Sequence, residues 1–145
     1  MKLSKTSAHA ALAITFLATQ RGKRPVQARQ VAKQLDIPTD SVLKILQVLA
    51  RRQLIRSRLG RSGGYQLQQA PEAISLLDVV EAVDGPLRAQ MVIDARCDAL
   101  SESIVALHRA CEQVTAALRG ELERVTIADL LSASALAELE QPLPN

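Results

Sequence analysis

The sequence predicts a mainly α protein with a small β-hairpin wing, that is, a winged helix-turn-helix carrying a long dimerisation helix. Three features predict it. Apolar residues recur at helical spacing in three segments up to about residue 52. Two short alternating segments then flank a glycine-containing, arginine-studded turn. Further on, Ile104, Leu107, Cys111, Val114 and Leu118 step by three and four, the a/d seam of a coiled coil.

The elements follow in order. Ala10, Ala11, Ile14, Leu17 and Ala18 line one face of a helix from about Ser4 to Gln20. A second, short helix runs from about Gln27 to Leu35, with Val31, Ala32 and Leu35 inward. Asp36-Ile37-Pro38-Thr39 makes the turn, and a third helix extends from about Thr39 to Arg52. Two short helices joined by so brief a turn form a helix-turn-helix pattern. Leu54–Arg58 and Gly64–Leu67 read as strands, and Gly60 and Gly63 supply the positive φ angles their loop needs. Ser75-Leu76-Leu77-Asp78 is a capping box that opens a helix to about Val83, closed by Asp84-Gly85-Pro86. Residues 86–100 show no period and read as a loop. A long helix spans about Ser101 to Arg124, and Thr126-Ile127-Ala128-Asp129 caps a short final one.

These readings divide the chain into a winged helix-turn-helix part (1–85), a loop (86–100), a dimerisation helix with a short C-terminal helix (101–138) and a tail (139–145). A seam as long as 104–118 needs a partner surface, and a second copy in a two-fold homodimer is the economical one.

Composition narrows function. Of 145 residues only Phe16 and Tyr65 are aromatic, so a platform for stacking single-stranded bases is excluded and the core must be aliphatic. No apolar run is long enough to span a membrane, no secretory signal opens the chain, and the expected compartment is the cytoplasm. Two cysteines are too few for a disulfide scaffold. No catalytic constellation stands out around His9 or His108, so an enzyme is not expected.

The net charge of +3 hides a division. Residues 1–70 carry 13 Lys and Arg against 2 acids, and residues 71–145 carry 5 against 13. A half with net +11 points to a polyanion, here duplex DNA. Lys2, Lys5, Arg51, Arg56, Arg58 and Arg61 are the candidates for phosphate contacts. A recognition helix presents its N-terminal residues to the major groove, which selects Thr39, Asp40, Ser41, Lys44 and Gln47. Lys44 can donate to guanine and Asp40 can accept from cytosine, while Arg61 at the wing tip suits a narrow minor groove. A two-fold dimer would read a near-palindromic operator, its half-sites about one duplex turn apart.

Several stretches together resemble the Rrf-two family of bacterial transcription regulators. They are Met1-Lys2-Leu3-Ser4, Gln30-Val31-Ala32, Ile37-Pro38, Leu49, Leu54-Ile55 and Gly60-Arg61-Ser62-Gly63-Gly64-Tyr65-Gln66-Leu67. Pro71, Ile74–Val80, Ala82–Gly85 and Thr126–Leu130 extend the likeness, which covers about residues 1–131. The resemblance implies a homodimeric winged-helix regulator of transcription, a repressor, with a sensory loop ahead of its dimerisation helix. Many members hold an iron–sulfur cluster there through three closely spaced cysteines.

This chain departs from that pattern. The loop has only Cys97, and Cys111 lies 14 residues on, inside the long helix. The resemblance leaves Cys97, His108 and Cys111, with the partner subunit's His9, as a mixed ligand set for a 2Fe–2S cluster. Cys111 fits equally well as a small hydrophobe on the seam. Cys97, next to Arg96, fits a thiol redox switch. A cluster-free regulator controlled by a protein partner, and a plain protein-interaction module, fit the same elements.

Overall fold

The computed structural model describes residues 3–22, 24–89 and 101–139. Six helices and one hairpin follow in the order α1 (Lys5–Thr19), α2 (Ala28–Leu35), α3 (Thr39–Arg51), β1 (Ile55–Arg58), β2 (Gly64–Leu67), a 3-10 turn (Pro71–Ala73), α4 (Leu76–Asp84), α5 (Ser101–Arg124) and α6 (Ile127–Leu139). Ile14 and Leu17 of α1, Val31 of α2, and Val42, Leu46 and Leu49 of α3 meet Ile55, Ile74, Val79 and Ile127 in one fully buried cluster. The core is aliphatic, as the composition requires. Phe16 and Tyr65 are only half-buried and pack at its rim.

The turn between α2 and α3 is tight because both ends are fixed locally. Asp36 takes the left-handed conformation (φ 52°) that closes α2, its N–H reaching the Ala32 carbonyl. Pro38 then holds φ at −57°, and its carbonyl accepts from the N–H groups of Ser41 and Val42 to start α3.

The hairpin pairs Ile55 with Leu67 and Arg58 with Gly64 in antiparallel register. Its glycines do different jobs. Gly60 has φ 103°, as expected of a turn glycine. Gly63 does not have a positive φ. It is needed because a Cβ there would lie 2.2 Å from the Arg58 carbonyl oxygen. Gly64 allows a close approach of another kind, since a Cβ there would fall 2.5 Å from the Val26 carbonyl oxygen. That approach lets Val26 and Tyr65 exchange two backbone hydrogen bonds, of 3.0 and 2.8 Å, as an isolated antiparallel bridge beside the wing.

Two capping boxes sit side by side. Ser75 Oγ accepts from the Asp78 N–H and Asp78 returns a carboxylate oxygen to the Ser75 N–H. Thr126 and Asp129 do the same at the start of α6. The two boxes are joined by an antiparallel bridge, with Leu76 N–H donating to the Val125 carbonyl (2.7 Å) and Ile127 N–H to the Ile74 carbonyl (2.9 Å). The final helix is therefore more than an appendage of α5. It has 13 residues, and Ile127, Leu130 and Leu131 pack into the core beside α1.

A second clamp joins the start of α1 to the end of α4. Ser4 caps α1 by accepting from the Ser7 N–H, and the hydroxyls of Ser4 and Ser7 donate to the two oxygens of Asp84 at 2.8 and 2.7 Å. The carboxylate also lies at the positive end of α1, where a negative charge is favourable. α5 reaches the rest of the chain through α4. Leu122 is buried, and Arg119 pairs with Glu81 while also donating to the Leu87 carbonyl at 3.2 Å.

Asp84→Ala leaves the Ser7 hydroxyl, which is 1% exposed, without a partner. It should cost about 1–3 kcal/mol in urea unfolding. The double change Ser7→Ala with Asp84→Ala should recover part of that loss, because no buried hydroxyl is then stranded.

The Asp129 carboxyl is held below its ordinary value of 3.8 by hydrogen bonds from the Thr126 backbone and side chain. A depressed carboxylate stabilises the fold above its unfolded pKa, and that contribution is lost as pH falls through the folded one. The melting-temperature gap between the parent chain and Asp129→Asn should therefore be present at neutral pH and close in acid below 3.8.

Candidate nucleic-acid interface

α3 turns its apolar residues inward, which fixes the direction of the rest. With Val42, Ile45, Leu46 and Leu49 buried, Thr39, Asp40, Ser41, Lys44, Gln47 and Arg51 are all exposed. The first three occupy the first turn, where α3 has no side-chain cap. Lys44, Gln47 and Arg51 continue the row at steps of three and four.

β1 follows directly after α3. Arg56 and Arg58 stand exposed on it, and Arg61 is exposed in the turn beyond. Lys2 lies outside the described residues.

The electrostatics of this surface are simple. Among the described residues three ion pairs occur: His108 with Glu112, Arg119 with Glu81, and Arg124 with Glu121. All belong to α4 and α5. None of the described lysines and arginines before residue 70 is paired with an acid, so their charge faces solvent uncompensated. A surface of this kind attracts a polyanion by releasing its counterions.

One residue escaped the sequence reading. Leu59, between Arg58 and the turn, is 98% exposed. It stands at the start of the loop between the two strands, where an apolar side chain has no core beneath it.

The seam residues of α5 divide. Leu107 and Val114 are 51% and 69% exposed, while Ile104, Cys111 and Leu118 are half-buried. Val105, 58% exposed, adds an apolar side chain off the seam.

The candidate metal ligands are scattered within one chain. His9 lies on α1 and lines a cavity toward α3. Cys111 lines a separate cavity with Arg88 and Thr115. His108 is exposed, its Nδ1 3.5 Å from a Glu112 oxygen. Cys97 lies outside the described residues. Among the described residues, no three His, Cys, Asp or Glu side chains converge on a point that would suit a metal ion. The described donors of a single chain thus do not fit an iron–sulfur cluster.

The fold has known counterparts. The family described as "Rrf2: Iron-dependent Transcriptional regulator" matches residues 3–133. The HTH-type transcriptional regulator Rv1287 of Mycobacterium tuberculosis is 33% identical over 130 residues, covering 90% of this chain and 81% of the relative. Among solved structures, IscR of T. potens aligns with a TM-score of 0.72 at 22% identity, covering 98% of this chain and 94% of that one. CymR of B. subtilis, described as its global cysteine regulator, aligns with a TM-score of 0.68 at 23% identity, covering 92% of this chain and 98% of its own. The helix-and-wing architecture is the one these solved regulators share. No helix among the described residues is long and apolar enough to cross a membrane.

Proposed function

From the premise that this chain belongs to the Rrf2 family of transcriptional regulators, which are DNA-binding proteins and not enzymes, we propose that it is a homodimeric repressor acting in the cytoplasm. Its N-terminal half reads a near-palindromic operator. The observation that carries this reading is the row Thr39, Asp40, Ser41, Lys44, Gln47 and Arg51, exposed and free of ion pairs, followed by the three wing arginines. In it, α3 lies in the major groove. Lys44 donates to guanine, Asp40 accepts from cytosine, and Arg61 enters the minor groove. Arg51, Arg56 and Arg58, with Lys2, neutralise phosphates.

Dimerisation is supported by the exposed apolar positions of α5. Leu107 and Val114 stand on the seam with more than half of each exposed among the described residues, and Ile104, Cys111 and Leu118 flank them half-covered. Burying such a stripe against its own copy is the ordinary solution for a helix of this length.

The signal, in this reading, enters around residues 86–111 through thiols. Cys111 shares an open cavity with Arg88, and Arg119 fixes the approach to that cavity by binding the Leu87 carbonyl. Reversible oxidation of Cys111 and Cys97 would add bulk and polarity next to the dimer seam.

The DNA reading is tested on a duplex carrying the chain's own promoter. Salt-dependent retention by a dimer is expected. Lys44→Ala should weaken the specific site by about 1–3 kcal/mol and relax preference at one base pair. Arg61→Ala should weaken all sequences and reduce the salt slope by about one. Absence of retention at low salt would remove the proposal.

For the signal, protein purified without oxygen should be colourless and free of iron. Its promoter affinity should respond to peroxide, and the combined change Cys97→Ser and Cys111→Ser should abolish that response. Visible absorption with stoichiometric iron would replace the thiol reading with a cluster bridging two subunits.

A further inference from the structure

A cavity of about 490 Å³ lies between α1 and α3, a size in the range of small-ligand sites. Its walls are of two kinds. Ile37, Ile45, Val48 and Val83 form an apolar floor, drawn from the helix-turn-helix and the end of α4. Lys5 and Lys44, both exposed, line its rim with their cationic side chains, and the half-buried His9 lines it as well. No acidic side chain lines the cavity, and neither lysine is engaged in an ion pair.

Cations without acids call for an anion. The apolar floor decides which kind, because a free phosphate would leave that surface uncovered, whereas an aliphatic carboxylate covers it with its chain and meets the lysines with its head. We propose that this cavity binds a small aliphatic carboxylate and that the bound ligand competes with DNA. The competition arises because Lys44 and Ser41 line the cavity and also belong to the exposed row of α3. That second half of the inference rests on the DNA reading above, and the first half does not. In effect the ligand draws the Lys44 ammonium from the groove side of α3 to the α1 side. The cavity also lies away from Cys111, whose own cavity is lined by α5 and residues 88–89, so this control is separate from thiol chemistry.

The test uses the full chain with octanoate as probe, first without DNA. Calorimetry should show saturable binding, and the His9 imidazole resonances should move with it. With a labelled promoter duplex at constant ionic strength, octanoate at about ten times its dissociation constant should lower DNA affinity roughly tenfold. Octanol, which lacks the charge, and acetate, which lacks the chain, should not. Val48→Phe fills the floor of the cavity. It should keep helix content and promoter affinity while losing octanoate binding.

No saturable binding to protein that retains promoter DNA overturns the proposal. So does octanoate binding that survives Val48→Phe, which would place the ligand elsewhere. A His9 signal that responds to protein dilution in place of octanoate would assign the cavity to contact between copies and overturn it too. If octanoate binds and moves His9 while no promoter duplex is retained, the ligand site stands and the DNA reading fails.

Discussion

The backbone bridge between Ser75 and Thr126 is the constraint on which the rest of the molecule depends. Through two hydrogen bonds it holds together the starts of α4 and α6, helices 51 positions apart at their caps. Each of those helices is also closed by its own hydroxyl–carboxylate box, so the orphan N–H groups of both first turns are used. With this junction fixed, Ile127 can drop into the core against Ile74, and α6 packs along α1. The end of α5 is thereby anchored, while Leu107 and Val114 nearer its start and middle stay more than half exposed. Through the junction and α6, the end of α5 is tied to α1, which itself packs on α3.

Much of this was legible in the sequence because its cause is local. Helix phase alone separated Val42, Ile45, Leu46 and Leu49 from Thr39, Asp40, Ser41, Lys44 and Gln47, and the structure buries the first set and exposes the second. The limits of α5 and the hairpin strands came from periodicity and turn chemistry, and both caps came from Ser and Thr spaced three residues from Asp. What stayed hidden depends on partners far apart in the chain. Ser7 and Asp84 are 77 residues apart, and nothing near either one announces the other. The role of Gly63 was misread because a close carbonyl, unlike a positive φ, leaves no mark in the neighbouring residues. The cavity between α1 and α3 was invisible for the same reason, since Lys5, His9 and Lys44 meet only after folding.

Charge is distributed so that folding and binding draw on different residues. The ion pairs among the described residues stay within α4 and α5, while the basic half contributes almost no electrostatic stabilisation to its own fold. That half is held instead by aliphatic packing, backbone capping and the Ser4–Ser7–Asp84 clamp, none of which uses its lysines or arginines. Ionic strength can thus change the attraction of that surface to a polyanion steeply without breaking ion pairs of the basic half.

The pairing of Val26 with Tyr65 has a consequence for the wing. A free two-stranded ribbon is marginal in water and would have to be ordered each time it met a ligand. Here the ribbon is fastened along its free side to the segment that leads into α2, and Gly64 is the residue that permits the fastening. The wing is thus delivered in its working shape, with its conformational entropy already lost during folding. Any surface that meets the wing can then do so close to rigid-body docking, with no separate cost for ordering the ribbon.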